Sequence, residues 1–379
     1  MKFTCTQENL NQGFQIVQHA TSKNLNLPIL NNVLINLKEK EIKLLTTNLD
    51  IGISYTVRGK IEDEGSFTVN AKLISDYVNL LPKENIDIEL DNKEQLHVKC
   101  LGHQTKIKGL NASDYPLIPE LSKKNKATIN VELFKEAINS VLFAVSKNEN
   151  RPELNGIYFK FSNNQLTLAA TDSYRLAERK INIKQNSLGL VNIIVPSKTL
   201  QEVVRVLSIL RNNIKDDSEI EIYLSEGQIL FVFDNLELVS RLIEGNYPDY
   251  EQIIPGKFNT QMIGSVADFL KNIKTVSLFV KENINDITLQ FQVNNEDPTK
   301  SEVHIRAFNE QLGESDAVVN SNITGIDNNI VVNYVYLLDG LNNIKTEDVK
   351  VEIIDNLSPI VISSANQDQY LYIVMPIRQ

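Results

Sequence analysis

Apolar residues along this chain fall into two spacings, one helical and one strand-like, and the pair recurs three times. Positions three and four apart share a helix face, whereas positions two apart share a strand face. The first copy opens at Val69-Asn70-Ala71-Lys72-Leu73. It continues with Leu73, Tyr77, Leu80 and Leu81 at helical spacing and ends in Ile86, Ile88 and Leu90 at every second position. The second opens at Val195-Pro196-Ser197-Lys198, carries Leu200, Val203, Val204 and Leu207, and ends in Ile220, Ile222 and Leu224. The third opens at Val332-Asn333, carries Tyr336, Leu337, Gly340 and Leu341, and ends in Val349, Val351 and Ile353. The openings at 69, 195 and 332 lie 126 and then 137 residues apart. A repeat of that length is a whole domain rather than a solenoid unit.

A second helical stripe precedes each copy. Leu10, Phe14 and Val17 recur 124 positions later as Phe134, Ile138 and Val141, and Val266, Leu270 and Ile273 keep the spacing. Between the helices lie short alternating runs separated by polar turns, such as Val33–Leu37, Ile42–Leu45, Gly156–Phe161 and Gln165–Ala169. They predict strands. Asp114-Tyr115-Pro116 and Asn246-Tyr247-Pro248 cannot continue a helix and mark exits into linkers. The pattern predicts three α+β domains, at 1–122, 123–252 and 253–379. In each, helices with one apolar face pack on a mainly antiparallel sheet.

Composition narrows the class. Hydrophobic residues make up 42% of the 379, enough for several packed cores. No apolar run reaches the roughly 20 residues of a membrane span, and the first residues lack a secretory leader, so a soluble cytoplasmic protein is expected. Cys5 and Cys100 make no disulfide framework. His97 and Cys100 are three apart but sit in an alternating strand-like stretch, which favours a strand over a metal site. The net charge of −10 counts against a protein that grips nucleic acid by contact affinity. It does not count against one that surrounds it.

No glycine-rich phosphate loop and no nucleophile elbow is present. Acidic runs such as Glu62-Asp63-Glu64 and Asp216-Asp217 lie in polar stretches that read as solvated turns. Asp172, in Thr171-Asp172-Ser173-Tyr174-Arg175, reads as a turn or ion-pair residue. Three repeated units without a recognisable catalytic centre point to binding rather than catalysis, and no cofactor or metal is implied.

At these same stretches the sequence resembles the DNA polymerase III beta-subunit family, the bacterial sliding clamps. The resemblance is carried in order by Leu27-Pro28-Ile29-Leu30, Thr46-Thr47-Asn48-Leu49-Asp50, Leu154-Asn155-Gly156, Thr171 to Ala177, Tyr247-Pro248-Asp249-Tyr250 and Tyr372 to Arg378. It implies a homodimeric ring of six domains, with helices lining the hole and sheets forming the outer wall. The partners it implies are duplex DNA, read without regard to sequence, the polymerase III catalytic subunit, a clamp loader, other proteins with a clamp-binding motif, and a second copy of the chain. The rival reading is a repeat scaffold that binds proteins without encircling DNA.

The resemblance also implies site residues. Lys23, Lys72, Lys147, Arg151, Lys198 and Arg205 would face phosphates. Lys72 and Lys198 are 126 apart at equivalent helix starts, and Lys23 and Lys147 are 124 apart, although each lysine alone reads equally as a surface residue. The third unit has Val335 at the matching place. A partner-peptide pocket would comprise Leu154, Thr171, Ser173, Tyr174, Arg175, Leu176, Pro248, Ile253, Asn333, Tyr336, Val349, Ile373, Val374, Met375, Pro376, Ile377 and Arg378. Two departures from the family bear on partner preference: Glu251-Gln252 follows the Pro-Asp-Tyr run where a basic residue is common, and Tyr174 stands where a smaller ring can occur. The ring seam would pair Gln104–Lys108, with Lys106, Ile107 and Lys108, against about Ser301–Ile305, with Glu302 or Glu296 facing the lysines. Those lysines could instead guard a free edge.

Overall fold

A computed structural model describes residues 1–22, 27–116, 118–119, 121–281, 284–365 and 367–378. Every repeat is built as two βαβββ halves. The first holds β1 (Lys2–Thr6), α1 (Gln7–Val17), β2 (Asn32–Lys38), β3 (Glu41–Thr47), β4 (Ile51–Val57), β5 (Lys60–Asp63), β6 (Gly65–Asn70), α2 (Ala71–Leu80), β7 (Asn85–Leu90), β8 (Gln95–Cys100) and β9 (His103–Asn111). The second holds β10 (Lys126–Asn130), α3 (Val131–Leu142), β11 (Gly156–Phe161), β12 (Gln165–Thr171), β13 (Arg175–Asn182), β14 (Gln185–Asn186), β15 (Val191–Pro196), α4 (Ser197–Ile209), β16 (Glu219–Ser225), β17 (Gln228–Phe233) and β18 (Leu236–Arg241). The third holds β19 (Thr260–Ser265), α5 (Val266–Val276), β20 (Asp286–Gln292), β21 (Ser301–Asn309), β22 (Gly313–Gly325), β23 (Asn328–Asn333), α6 (Tyr334–Leu341), β24 (Asp348–Ile353), β25 (Ile360–Ser364) and β26 (Gln367–Val374).

The helices start where the sequence supplies a cap. Thr6, Asn70, Asn130, Ser265 and Asn333 each accept a backbone N–H of the first turn, while α4 follows Pro196 without a side-chain cap. Only one helical face is buried in each case. In α2 it is not the face expected from the sequence. Ile74, Ser75 and Val78 are buried, whereas Leu73 and Leu80 are 54% and 81% exposed. Both faces of this short helix carry apolar residues, so spacing alone could not choose between them.

All strand pairings among the described residues are antiparallel, as expected, but no unit owns a sheet of its own. The strands form one sheet of 14 and one of 12, and both cross a domain boundary. Ile51–Tyr55 of β4 pairs with Leu236–Ser240 of β18, and Arg175–Arg179 of β13 pairs with Tyr370–Val374 of β26. The last strand of one unit's first half thus joins the last strand of the next unit's second half. Gly340 makes room for the second of these joints. A Cβ there would lie 2.2 Å from the ring of Tyr372, whose hydroxyl donates to the Tyr336 carbonyl at 2.9 Å.

The same rule leaves two strands half-paired. Residues 103–108 of β9 pair with β8, and residues 313–321 of β22 pair with β21; neither stretch has a strand on its other side among the described residues. This corrects the seam expected at Ser301–Ile305. That stretch is β21, which is flanked by β20 and β22 and has no open edge. Glu302 stands on this interior strand, beside His304 at 3.6 Å.

Candidate functional site

The link from β12 to β13 is a closed turn held by its own side chains. Thr171 Oγ1 donates to the Arg175 carbonyl at 2.6 Å and accepts the Ser173 N–H at 3.1 Å. Asp172 Oδ1 accepts the N–H groups of Tyr174 and Arg175, each at 3.0 Å. Ser173 takes a φ of 80°, a left-handed value that few non-glycine residues adopt. The turn aims Arg175 across the domain junction. Its guanidinium donates to Asp172 at 3.0 Å, to Asp339 on α6 at 2.5 Å and to the Phe143 carbonyl at 2.8 Å. Its carbon lies 4.5 Å from the centre of the Tyr336 ring. Arg175 therefore clasps the second unit to the third, and Tyr336 is its platform.

Beside the clasp opens a pocket of about 160 Å³. Leu176 and Ile373, partners across the β13–β26 joint, form its floor. Leu154, Pro248, Ile253 and Met375 supply aliphatic walls, and Thr171, Ser173 and Arg175 a polar lip. Beneath it lies an aromatic cluster. The Tyr158 and Tyr247 rings stack at 5.0 Å, and Tyr250 meets both edge-on. Tyr250 donates to the buried carboxylate of Glu178 at 2.6 Å. Burial and that carboxylate push its phenol far above the ordinary range, so it remains a donor. An apolar cavity this small, with few convergent polar groups, accepts one or two side chains of an extended segment.

The other expected pocket residues serve elsewhere. Val349 and Val374 are fully buried strand residues. Asn333 caps α6. Tyr174 is 64% exposed and contributes its carbonyl, which accepts the Met375 N–H at 2.9 Å. Pro376, Ile377 and Arg378 run on past the pocket, where the Ile377 N–H donates to Val331 at 2.8 Å and docks the tail on β23. The wall also includes Arg151, Asp249 and Tyr250. Asp249 and Tyr250 belong to the Tyr-Pro-Asp-Tyr run already singled out, which was the available signal.

The junction of the first and second units repeats the turn. Thr47 Oγ1 donates to the Ile51 carbonyl at 2.9 Å, Leu49 has a φ of 77°, and the Arg241 N–H donates to Asp50 at 3.0 Å. The cleft there mixes apolar Ile118, Pro119 and Val239 with Gln228, Ser240 and Arg241, and it has Gly52 in the place of Leu176 and Arg241 in that of Met375. The turn backbone is thus repeated, while the side chains make the second junction the more apolar socket.

The expected phosphate-facing cations separate into two groups. Lys72 and Lys198 are exposed, each second in its helix, and no carboxylate lies within ion-pair distance among the described residues. A helix N-terminus disfavours a cation, so local stability does not account for both lysines. Lys147 is exposed in the loop after α3, and Lys23 lies outside the described residues. Two arginines are corrections. Arg205 pairs with Glu202 and donates to the Gln15 and Ile16 carbonyls at the end of α1, tying the first two units together. Arg151 bonds Glu153 and Ser173 at 3.1 and 3.0 Å beside the pocket. The third unit brings Lys271 and Lys274, exposed on α5, instead of a residue on α6.

Alanine at Lys72 and Lys198 is expected to flatten the log–log salt dependence of attachment to duplex DNA by about 0.9 per lysine. Arg205→Ala is expected to leave that slope unchanged and lower the thermal midpoint by several degrees, because the orphaned α1 carbonyls lose their donors. Equal slopes in all variants would reverse the assignment.

Comparison with known proteins agrees with this geometry. Three family models match in order: DNA polymerase III beta subunit, N-terminal domain, at residues 1–119; central domain, at 128–249; and C-terminal domain, at 251–378. A beta sliding clamp of Bacillus subtilis is 28% identical, with 100% of each chain covered. A crystal structure of a DNA polymerase sliding clamp from the same organism superposes with a TM-score of 0.92 at 27% identity, covering 100% of this chain and 99% of that one. The sliding clamp of Pseudomonas aeruginosa bound to griselimycin does so with a TM-score of 0.92 at 27% identity, covering 100% of both.

Proposed function

We propose, for a chain that belongs to the DNA polymerase III beta-subunit family, that two copies close into a ring of six domains around duplex DNA. Its function is that of a DNA sliding clamp. The observation that supports closure is the pair of half-paired strands. β9 and β22 occupy the roles that join β18 to β4 and β26 to β13, so a second copy repeats the internal joint twice and pairs both open stretches. Lys106 and Lys108 are exposed on the first strand, Glu314 and Asp316 on the second. Opposite charges on the two edges favour this pairing over like with like.

The clamp works by topology rather than by bond chemistry. Half-buried Asn9, Asn11, Gln12 and Gln15 make up the outer side of α1 beside exposed Glu8, and a few lysines on α2, α4 and α5 supply weak phosphate attraction. Weak contacts let the ring move, while closure prevents escape. The pocket at the second junction receives short segments of the polymerase catalytic subunit, of a clamp loader and of other proteins with the same motif. A loader is needed because a closed ring must be opened. No helix among the described residues is long and apolar enough to cross a membrane.

The test is retention on nicked circular DNA after loading with a clamp loader and ATP. A ring stays on the circle and leaves once the DNA is linearised. Retention that ignores DNA ends would instead support a scaffold that binds proteins without encircling the duplex.

A further inference from the structure

The pocket at the second junction has an uneven charge balance. Both cations in its wall are already neutralised inside the chain. Arg151 pairs with Glu153 at 3.1 Å, and Arg175 binds two carboxylates, Asp172 at 3.0 Å and Asp339 at 2.5 Å. Asp249, exposed in the wall, has no cation within ion-pair distance among the described residues; Gln252 donates to its Oδ2 at 2.7 Å. Two guanidinium charges therefore face four carboxylates, an excess of two negative charges. The surroundings do not reverse this. Glu251 consumes Lys160, and buried Glu178 consumes Lys180. Arg378 is three residues beyond Met375 on the tail docked to β23 and does not line the pocket.

We infer that this pocket selects segments with a basic side chain beside the apolar anchor and disfavours segments with an acidic one there. The inference rests on the pocket being the partner site and adds the chemistry of its preferred occupant. An anchor fills the aliphatic socket of Leu154, Leu176, Ile253 and Met375. A neighbouring ammonium or guanidinium then lies beside Asp249 at the mouth, where an acid would meet that carboxylate and guanidinium groups already engaged. Such discrimination acts through partly exposed charges, so it is modest and screened by salt.

Two fluorescent decapeptides test this, identical except that one carries Lys and the other Glu on either side of a central Leu-Phe anchor. They are titrated with the intact protein by polarisation. The Lys peptide is expected to bind about fivefold tighter at low salt, and the preference should shrink to about twofold in 0.5 M NaCl. Asp249→Asn should reduce it at low salt without weakening the Glu peptide. A Glu peptide that binds as well as or better than the Lys peptide would overturn the inference while leaving the pocket reading intact. Binding of neither peptide, or binding unaffected by Met375→Ala in a protein of unchanged melting temperature, would overturn the pocket reading itself.

Discussion

Alanine at both Met375 and Ile253 is expected to weaken binding of a polymerase-derived peptide by roughly 30-fold or more while the ring keeps its mass. Both residues stand at the rim, at 37% and 45% exposure, so truncating them removes contact area from the guest and little from the core. Each should contribute on the order of 1 kcal/mol to a buried anchor. Met375 is also a flexible thioether, suited to fitting several guests. Leu176 and Ile373 would be poorer choices, because both are buried in the β13–β26 joint. Cutting the chain before Ile373 is poorer still. It removes Ile373 and Val374, which pair with Leu176 and Arg175, and would unfasten the second unit from the third. Peptide titration and sedimentation of the double variant read the two properties separately. An unchanged affinity would move the partner site away from this pocket.

Reversing Glu314 and Asp316 to lysine should convert the dimer to monomers, with a dissociation constant higher by about 100-fold or more, as expected when like charges meet across a paired edge. Adding Lys106→Glu and Lys108→Glu should restore it. The rescue is the informative half, because Asp316 also holds Arg306 at 2.7 Å and His304 at 3.2 Å, so its loss disturbs β21 as well. Repair by changes on β9 has no explanation within one subunit. Exposed Phe308 and Leu312, at the end of β21 and in the turn into β22, give the edge an apolar margin that a second copy would cover. Sedimentation with retention on circular DNA reads the result. A reversed variant that stays dimeric would place the seam on other strands.

Much of the pocket was legible in the chain because its chemistry is local. The turn from Thr171 to Arg175 is closed by its own side chains, and the Tyr-Pro-Asp-Tyr run and the Met375 tail carry their residue types in short stretches. The departure at Glu251-Gln252 was also visible, although its consequence was not. A charge counts only after its partners are known, and Asp339, which joins the balance through Arg175, lies 164 positions away.

The arginines show the same limit. Arg205 and Arg151 have the residue type of phosphate contacts, but one ends a helix 190 positions earlier and the other serves the pocket wall. The resemblance placed the seam on Ser301–Ile305, and no local pattern says which of β21 and β22 has an open edge, since edge status depends on which neighbours are hydrogen-bonded. In α2, apolar residues on both faces hid which side the sheet would cover.

By itself, then, the sequence determined the threefold repeat, the helices and strands within each unit, their caps and the composition of the socket. Helical and strand periods, capping and turn chemistry act over a few residues, and the spacing of side chains expresses them directly. Tertiary structure alone decided the sharing of sheets across domains, the open stretches of β9 and β22, the roles of Arg151, Arg175 and Arg205 and the charge balance of the pocket. Those features depend on hydrogen-bond and ion-pair partners brought together from distant parts of the chain, which no local pattern specifies.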